Sequence, residues 1–266
     1  MDIATIVGLI VGFVAVGVGM VMKGASLTSL ANPAAILIII AGTAATVLIG
    51  FPMDELKKLP KLFKIAMTNK EYFSKVELIN MFSEWVTISR REGLLSLESK
   101  ADEIEDAFLR EGMQMVIDGN DPDFIETVML NNISQMEARH KNGALIFSQA
   151  GTYAPTLGVL GAVVGLIAAL SHLNEIDELG HLISAAFVAT LLGIFTGYVL
   201  WHPLANKLTQ KSNKEADVKR MMLEGILSLQ AGDSTSANTQ KLMTYLSMAE
   251  RKRLEAGGGE KATQSA

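Results

Sequence analysis

The sequence has no cysteine, which excludes disulfides and thiolate metal sites. Its four histidines, His140, His172, His181 and His202, show no ligand spacing such as His-x-x-x-His. His172 and His181 flank a short loop, where a solvated surface role is expected. No nucleophile–base pair, metal cluster or phosphate-binding glycine loop is present, so the chain does not read as an enzyme and no cofactor is expected. Charge is scarce too: 19% of residues are charged, against about 25% in ordinary soluble domains. A net charge of −5 argues against nucleic acid as a partner. The scarcity is sharpest in residues 152–170 and 182–201, which contain no Asp, Glu, Lys or Arg. They do carry Thr, Gly and Pro. Small residues let helices approach closely in lipid. A charged ion could pass beside such helices only if another molecule supplied a carboxylate.

What the chain has in abundance is apolar sequence: 49% of its 266 residues are hydrophobic, with a mean hydropathy of +0.31. Four stretches hold the excess, residues 3–22, 33–51, 152–170 and 182–201. Each is near the ~20 residues an α-helix needs to cross a ~30 Å hydrocarbon core. None alternates in polarity as a membrane strand does. An all-α membrane protein with four transmembrane helices and a helical cytoplasmic domain is expected. The first stretch carries Asp2 in place of a basic n-region and exceeds a signal h-region in length, so it reads as a retained span, paired with the second in a hairpin.

Lysine sets the topology. Lys57, Lys58, Lys61 and Lys64 follow the second span; Lys207, Lys211, Lys214, Lys219 and Arg220 follow the fourth. The loop between the last two spans holds Glu175, Asp177 and Glu178 and no basic residue but histidine. Positive charge marks the cytoplasmic side, which places both termini and the long middle segment in the cytoplasm. Four regions follow: residues 1–52 with spans one and two, 53–143 as a cytoplasmic helical domain, 144–202 with spans three and four, and 203–266 as a helical tail. In the middle region, Leu78, Phe82 and Trp85 predict a helix ending near Gly93. Leu97, Ala101, Ile104 and Phe108 repeat at i, i+4, i+7 and i+11, the stripe of an amphipathic helix. Asp121-Pro122 predicts an N-cap with proline at the first helical position, after a turn at 118–120. The tail is expected to be helical to about Leu229, with a shorter helix near residues 242–251 and a disordered Gly/Ser/Gln-rich end.

The spans carry glycine pairs four apart: Gly8 and Gly12, Gly161 and Gly165, Gly193 and Gly197. Each pair opens one helix face to close packing, within the subunit or against further helices. Pro155 reads as the start of the third span, and Pro203 lies just past the fourth. Thr156, Thr190 and Thr196 are expected to bond back to their own backbone.

Taken in order, these residues resemble a known family. The run 186–195 (Ala-Phe-Val-Ala-Thr-Leu-Leu-Gly-Ile-Phe) followed by Pro203 is similar to the signature of the A subunit of bacterial flagellar motor stators, the MotA/PomA family. Tyr153-Ala154-Pro155-Thr156-x-Gly158 and Gly161-x-x-x-Gly165-Leu166 look like that family's third span. Residues 89–98 look like its charged cytoplasmic motif, and 202–208 like its fourth-span exit. The resemblance runs from the first span to about residue 230 and leaves the last thirty or so uncovered.

The resemblance implies a ring of five A subunits around two MotB-like B subunits, whose helices carry the ion-binding aspartate, in the bacterial inner membrane. Thr190 and Thr156 would line the ion path, Pro155 and Pro203 would serve conformational change, and Arg90, Arg91 and Glu98 would face the rotor protein FliG. On residues alone, those three charges read as solvated helix surface with a local ion pair. Sodium-driven relatives commonly place threonine where this chain has Ala162 and Ala189, so the expected ion is H+, with Na+ the alternative. An ExbB/TolQ-type energising subunit resembles the chain in its last two spans but has three spans and lacks the charged motif. A secondary transporter would need an intramembrane charge or broken helices of its own.

Overall fold

The computed structural model describes residues 2–68 and 73–252, and among them every regular element is helical. The helices are α1 (Ile3–Met22), α2 (residues 33–50), α3 (Met53–Leu56), α4 (Leu59–Met67), α5 (Lys75–Glu92), α6 (Glu98–Asp102), α7 (Ala107–Ile117), α8 (Pro122–Leu170), α9 (Ile176–Gln230) and α10 (Thr235–Met243). Four helical runs are long and apolar enough to cross a membrane: α1, the run Leu27–Gly50 that contains α2, α8 and α9. These are the four expected spans, but the last two are embedded in helices of 49 and 55 residues.

Local chemistry sets most of the boundaries. Asn32 caps α2, its side chain accepting from the Ala35 N–H at 3.1 Å, with Pro33 at the first helical position. A capping box of Ser74 and Glu77 starts α5, and Gly93, at φ +86°, ends it with a backbone few other residues adopt. Asp121 accepts from the Asp123 N–H at 2.9 Å where α8 begins, as the Asp-Pro pair predicts.

Three expectations need correction. Residues 97–108 are not one helix: a 3-10 turn at Leu94–Leu97 leads into α6, and a new helix starts after Asp106. The Asp106 side chain accepts from the Leu109 N–H at 2.9 Å and so captures a backbone donor that a continuous helix would have used. Leu97, Ala101, Ile104 and Phe108 are buried all the same. Pro155 is not at a helix start but well inside α8. The helix expected near 242–251 is divided: α10 starts at Thr235, where Ser234 caps it through the Ala237 N–H at 3.1 Å, and ends at Met243, and helix resumes only at residue 248. The residues expected to be disordered fall largely beyond 252, outside the described residues.

The chain forms two compact units. One draws on residues 2–68 and 139–211, the other on 73–138 and 212–252; α8 and α9 contribute to both. The second unit has its own core, where Leu78, Phe82 and Trp85 of α5 meet Leu109 and Met113 of α7, Ile125, Met129 and Ile133 of α8, and Met221 and Ile226 of α9. An ion pair between Arg220 and Glu137 at 2.7 Å joins α9 to α8 there. In the first unit, Phe147 of α8 and Leu204, Ala205 and Leu208 of α9 pack against Ala66, Leu59 and Leu62 of α4. Trp201 and Phe63 close that cluster, with ring centroids 6.1 Å apart. α1 buries no residue, which in lipid is an ordinary state for an apolar helix.

Candidate functional site

The two charge-free spans meet along a seam of small residues. Gly151, Ala154, Gly158, Gly161 and Gly165 recur at spacings of three and four, so they share one face of α8. Ala186, Ala189, Gly193 and Gly197 do the same on α9. The approach is backbone to backbone. A Cβ at Gly158 would lie 2.8 Å from the Ala189 carbonyl oxygen and 2.9 Å from Gly193 Cα; one at Gly193 would lie 2.7 Å from the Ala154 oxygen. Thus the glycine pairs at 161/165 and 193/197 pack inside the subunit. In α1 the pair divides: a Cβ at Gly12 would meet Val199 at 2.6 Å, whereas Gly8 faces open space.

Pro155 takes part in this seam. A proline inside a helix has no N–H for the carbonyl four residues earlier, which here belongs to Gly151. A Cβ on Gly197 would sit 2.8 Å from that carbonyl oxygen and 2.8 Å from Pro155 Cγ. Glycine at 197 is what lets α9 come against this irregular turn. Pro203 acts in a related way on α9. Its missing N–H withdraws a bond from the Val199 carbonyl, and the turn before it, Thr196–Trp201, takes π-helical geometry. Such turns recur where helices are adapted for function.

Among the residues proposed for an ion path, Ala189 lies in the seam, 2% exposed, and Ala162 is half-buried. Thr190 is half-buried and Thr156 exposed. The Thr190 hydroxyl donates to the Ala186 carbonyl at 3.5 Å, Thr156 to Thr152 at 3.4 Å and Thr196 to Leu192 at 2.8 Å. Each hydroxyl keeps lone pairs free to accept. The seam therefore offers acceptors but no carboxylate to hold a charge.

At the lysine-rich end of these helices the structure shows a contact that sequence reasoning missed. Asp2 caps α1, accepting from the Thr5 N–H at 3.4 Å, and pairs with Lys207 of α9 at 2.5 Å. Its backbone N–H donates to the Met67 carbonyl at 2.8 Å. The Lys211 ammonium donates to the carbonyls of Ile65, at 2.5 Å, and Thr68. The hydrogen bond from Lys207 holds the Asp2 carboxyl below its ordinary pKa, while burial lowers that of Lys211. The available signal was an acidic residue directly before an apolar run, the pattern of an N-cap.

In the other unit, Arg90 and Arg91 occupy the last turn of α5 and Glu98 opens α6. All three are exposed to solvent. The local ion pair expected of them is not found: none has an ion-pair partner among the described residues. Between them Leu95 stands 71% exposed, an apolar side chain amid charges that the sequence did not single out.

Comparison with known proteins gives the context. Residues 100–221 match the MotA/TolQ/ExbB proton channel family, and residues 6–93 match the motility protein A N-terminal family. The chain is 54% identical to Motility protein A of Bacillus subtilis (strain 168), covering 100% of both chains. A solved structure of the flagellar MotAB stator complex from Bacillus subtilis superposes with a TM-score of 0.89 at 56% identity, over 93% of this chain and 97% of that one. A structure of C. jejuni MotAB gives 0.88 at 30% identity, over 93% and 97%.

Proposed function

The chain belongs to the MotA/TolQ/ExbB proton channel family, and from that premise we propose how it works as a membrane-embedded stator subunit of the flagellar motor. It assembles with a MotB-like B subunit. The observation that carries the mechanism is the seam of α8 and α9: two spans at backbone contact, with hydroxyl acceptors on their flanks and no carboxylate. The ion-binding aspartate is the B subunit's contribution. An ionised carboxylate on an isolated span costs ~2.5–3.5 kcal/mol on insertion scales, and a polar cavity lined by Thr190 and Thr156 lowers that cost.

The proposed assembly is a ring of five copies around a B dimer in the inner membrane, with both termini in the cytoplasm. One charge crossing ~100 mV releases ~2.3 kcal/mol. That biases a rotation between states of similar stability but is too little to rebuild a packed core. Ion flow therefore turns the ring as a body, and Arg90, Arg91 and Glu98 push against FliG. Solvent-accessible and without ion-pair partners among the described residues, these charges are available for brief, steerable contacts. Pro155 and Pro203 supply the two irregular turns at which α8 and α9 can yield.

The proposed ion is H+. Sodium needs several oxygen ligands in place of its water, whereas a proton needs one carboxylate and a water path. Alanine at 162 and 189 withholds two hydroxyls. Full-length similarity to proteins named Motility protein A, with four spans, favours the stator over an ExbB/TolQ-type subunit. Swimming speed measured with a protonophore and in sodium-free medium tests the ion: collapse with the first and persistence in the second are expected. Dependence on external sodium would overturn the proton reading.

A further inference from the structure

α4 presents two opposite faces. Leu59, Leu62 and Ala66 turn inward onto Phe147, Leu204 and Ala205. At about 100° per residue, Lys61 and Lys64 fall together on the opposite side; Lys57 lies in the turn just before α4, and all three are exposed. Lys57 pairs loosely with Asp54 at 3.6 Å, where both side chains are largely solvated. Lys61 and Lys64 have no carboxylate partner among the described residues. Ile65, 38% exposed, borders the same arc. The helix lies one short turn after the end of the second span, at the level of Trp201, whose ring it meets through Phe63. Tryptophan favours the membrane–water boundary.

We propose that the Lys61–Lys64 face of α4, together with Lys57 in the turn before it, is a docking surface for the anionic phospholipid headgroups of the cytoplasmic leaflet. Three features choose that occupant. The stripe is basic where the leaflet is acidic, and a lysine near such a surface is worth ~1 kcal/mol, roughly a fivefold enrichment. The inward face is already filled by α8 and α9, so the lysines are directed away from the bundle at headgroup depth. An exposed isoleucine beside them suits the acyl boundary better than open water. The surface would hold a shell of acidic lipid beside the cytoplasmic ends of the spans.

The absence of cysteine makes a direct test available. The Ile65→Cys chain, purified with its B partner, carries one fluorophore and is reconstituted in vesicles with headgroup-spin-labelled phosphatidylglycerol or phosphatidylcholine at equal mole fraction. Quenching by the anionic lipid is expected to exceed that by the neutral one about fivefold at low salt, and to approach equality at high salt. Adding Lys57→Gln, Lys61→Gln and Lys64→Gln should abolish the preference while the fluorophore at position 65 remains quenched by both lipids. Equal quenching in the unmodified stripe would overturn the proposal. Absence of quenching by either lipid would overturn it too, because a protein would then cover the surface.

Discussion

Replacing Gly193 with alanine tests the α8–α9 seam one methyl at a time. The added Cβ would stand 2.7 Å from the Ala154 carbonyl oxygen and 2.7 Å from Gly158 Cα, about 1 Å short of comfortable carbon contact. Both obstacles are backbone atoms, so no side-chain rotation relieves them and the helices must part. A gap of about 0.5–1 Å already forfeits a quarter to a half of the dispersion well at each facing pair, so the loss spreads to Gly158, Gly161 and Gly197. Overpacking of this kind costs about 1–3 kcal/mol, and a backbone-locked site belongs at the upper end. Gly161→Ala should cost less, since its nearest neighbour is the Ala189 methyl at 3.2 Å, and Gly8→Ala should cost nothing, with no atom within 4 Å. The thermal unfolding midpoint of the purified complex, read beside swimming speed, should fall in the order Gly8→Ala, Gly161→Ala, Gly193→Ala. A Gly193→Ala protein with unchanged midpoint and full motility would refute the reasoning.

Two further outcomes follow from the second unit. Charge reversal at Arg90 and Glu98 should reduce the torque of tethered motors while leaving membrane insertion and assembly with the B subunit intact; unchanged torque would exclude a rotor contact. Asp233, bonded by Lys241 at 2.8 Å and by the Ser228 hydroxyl at 2.6 Å, has a carboxyl pKa lowered chiefly by Lys241, and that of Lys241 is raised in return. The stabilisation contributed by Asp233 is present above the ordinary carboxylate range and lost as pH falls through its lowered pKa. Hydrogen-exchange protection of α10 should therefore drop in acid, and Asp233→Asn should remove that pH dependence; protection that ignored both changes would contradict the assignment.

Much of the fold was legible because hydropathy and capping act locally. The spans declared themselves by length. The start of α8 followed from Asp121-Pro122, and Gly93 ended α5 as read. What was not legible depended on the chain meeting itself. Pro155 looked like a helix start because proline prefers that place, and only the seam shows its freed Gly151 carbonyl set against Gly197. The stripe from Leu97 to Phe108 had helical spacing but was divided by Asp106, whose side chain prefers a cap to a mid-helix position. Asp2 was read for what it excluded, a signal peptide, and its pairing with Lys207, distant in sequence, left no local trace. The threonines, alanines and prolines of the candidate site came forward through family resemblance. Spacing alone gave them no rank above other small residues.

As a stator subunit, this chain is needed to turn flagella and not to build them. Deleting its gene, then counting flagella and scoring swimming in the same cells, separates these two roles. Flagellated, paralysed cells that regain motility when the chain is supplied again are expected. Cells that swim normally, or that fail to assemble flagella, would contradict the stator role.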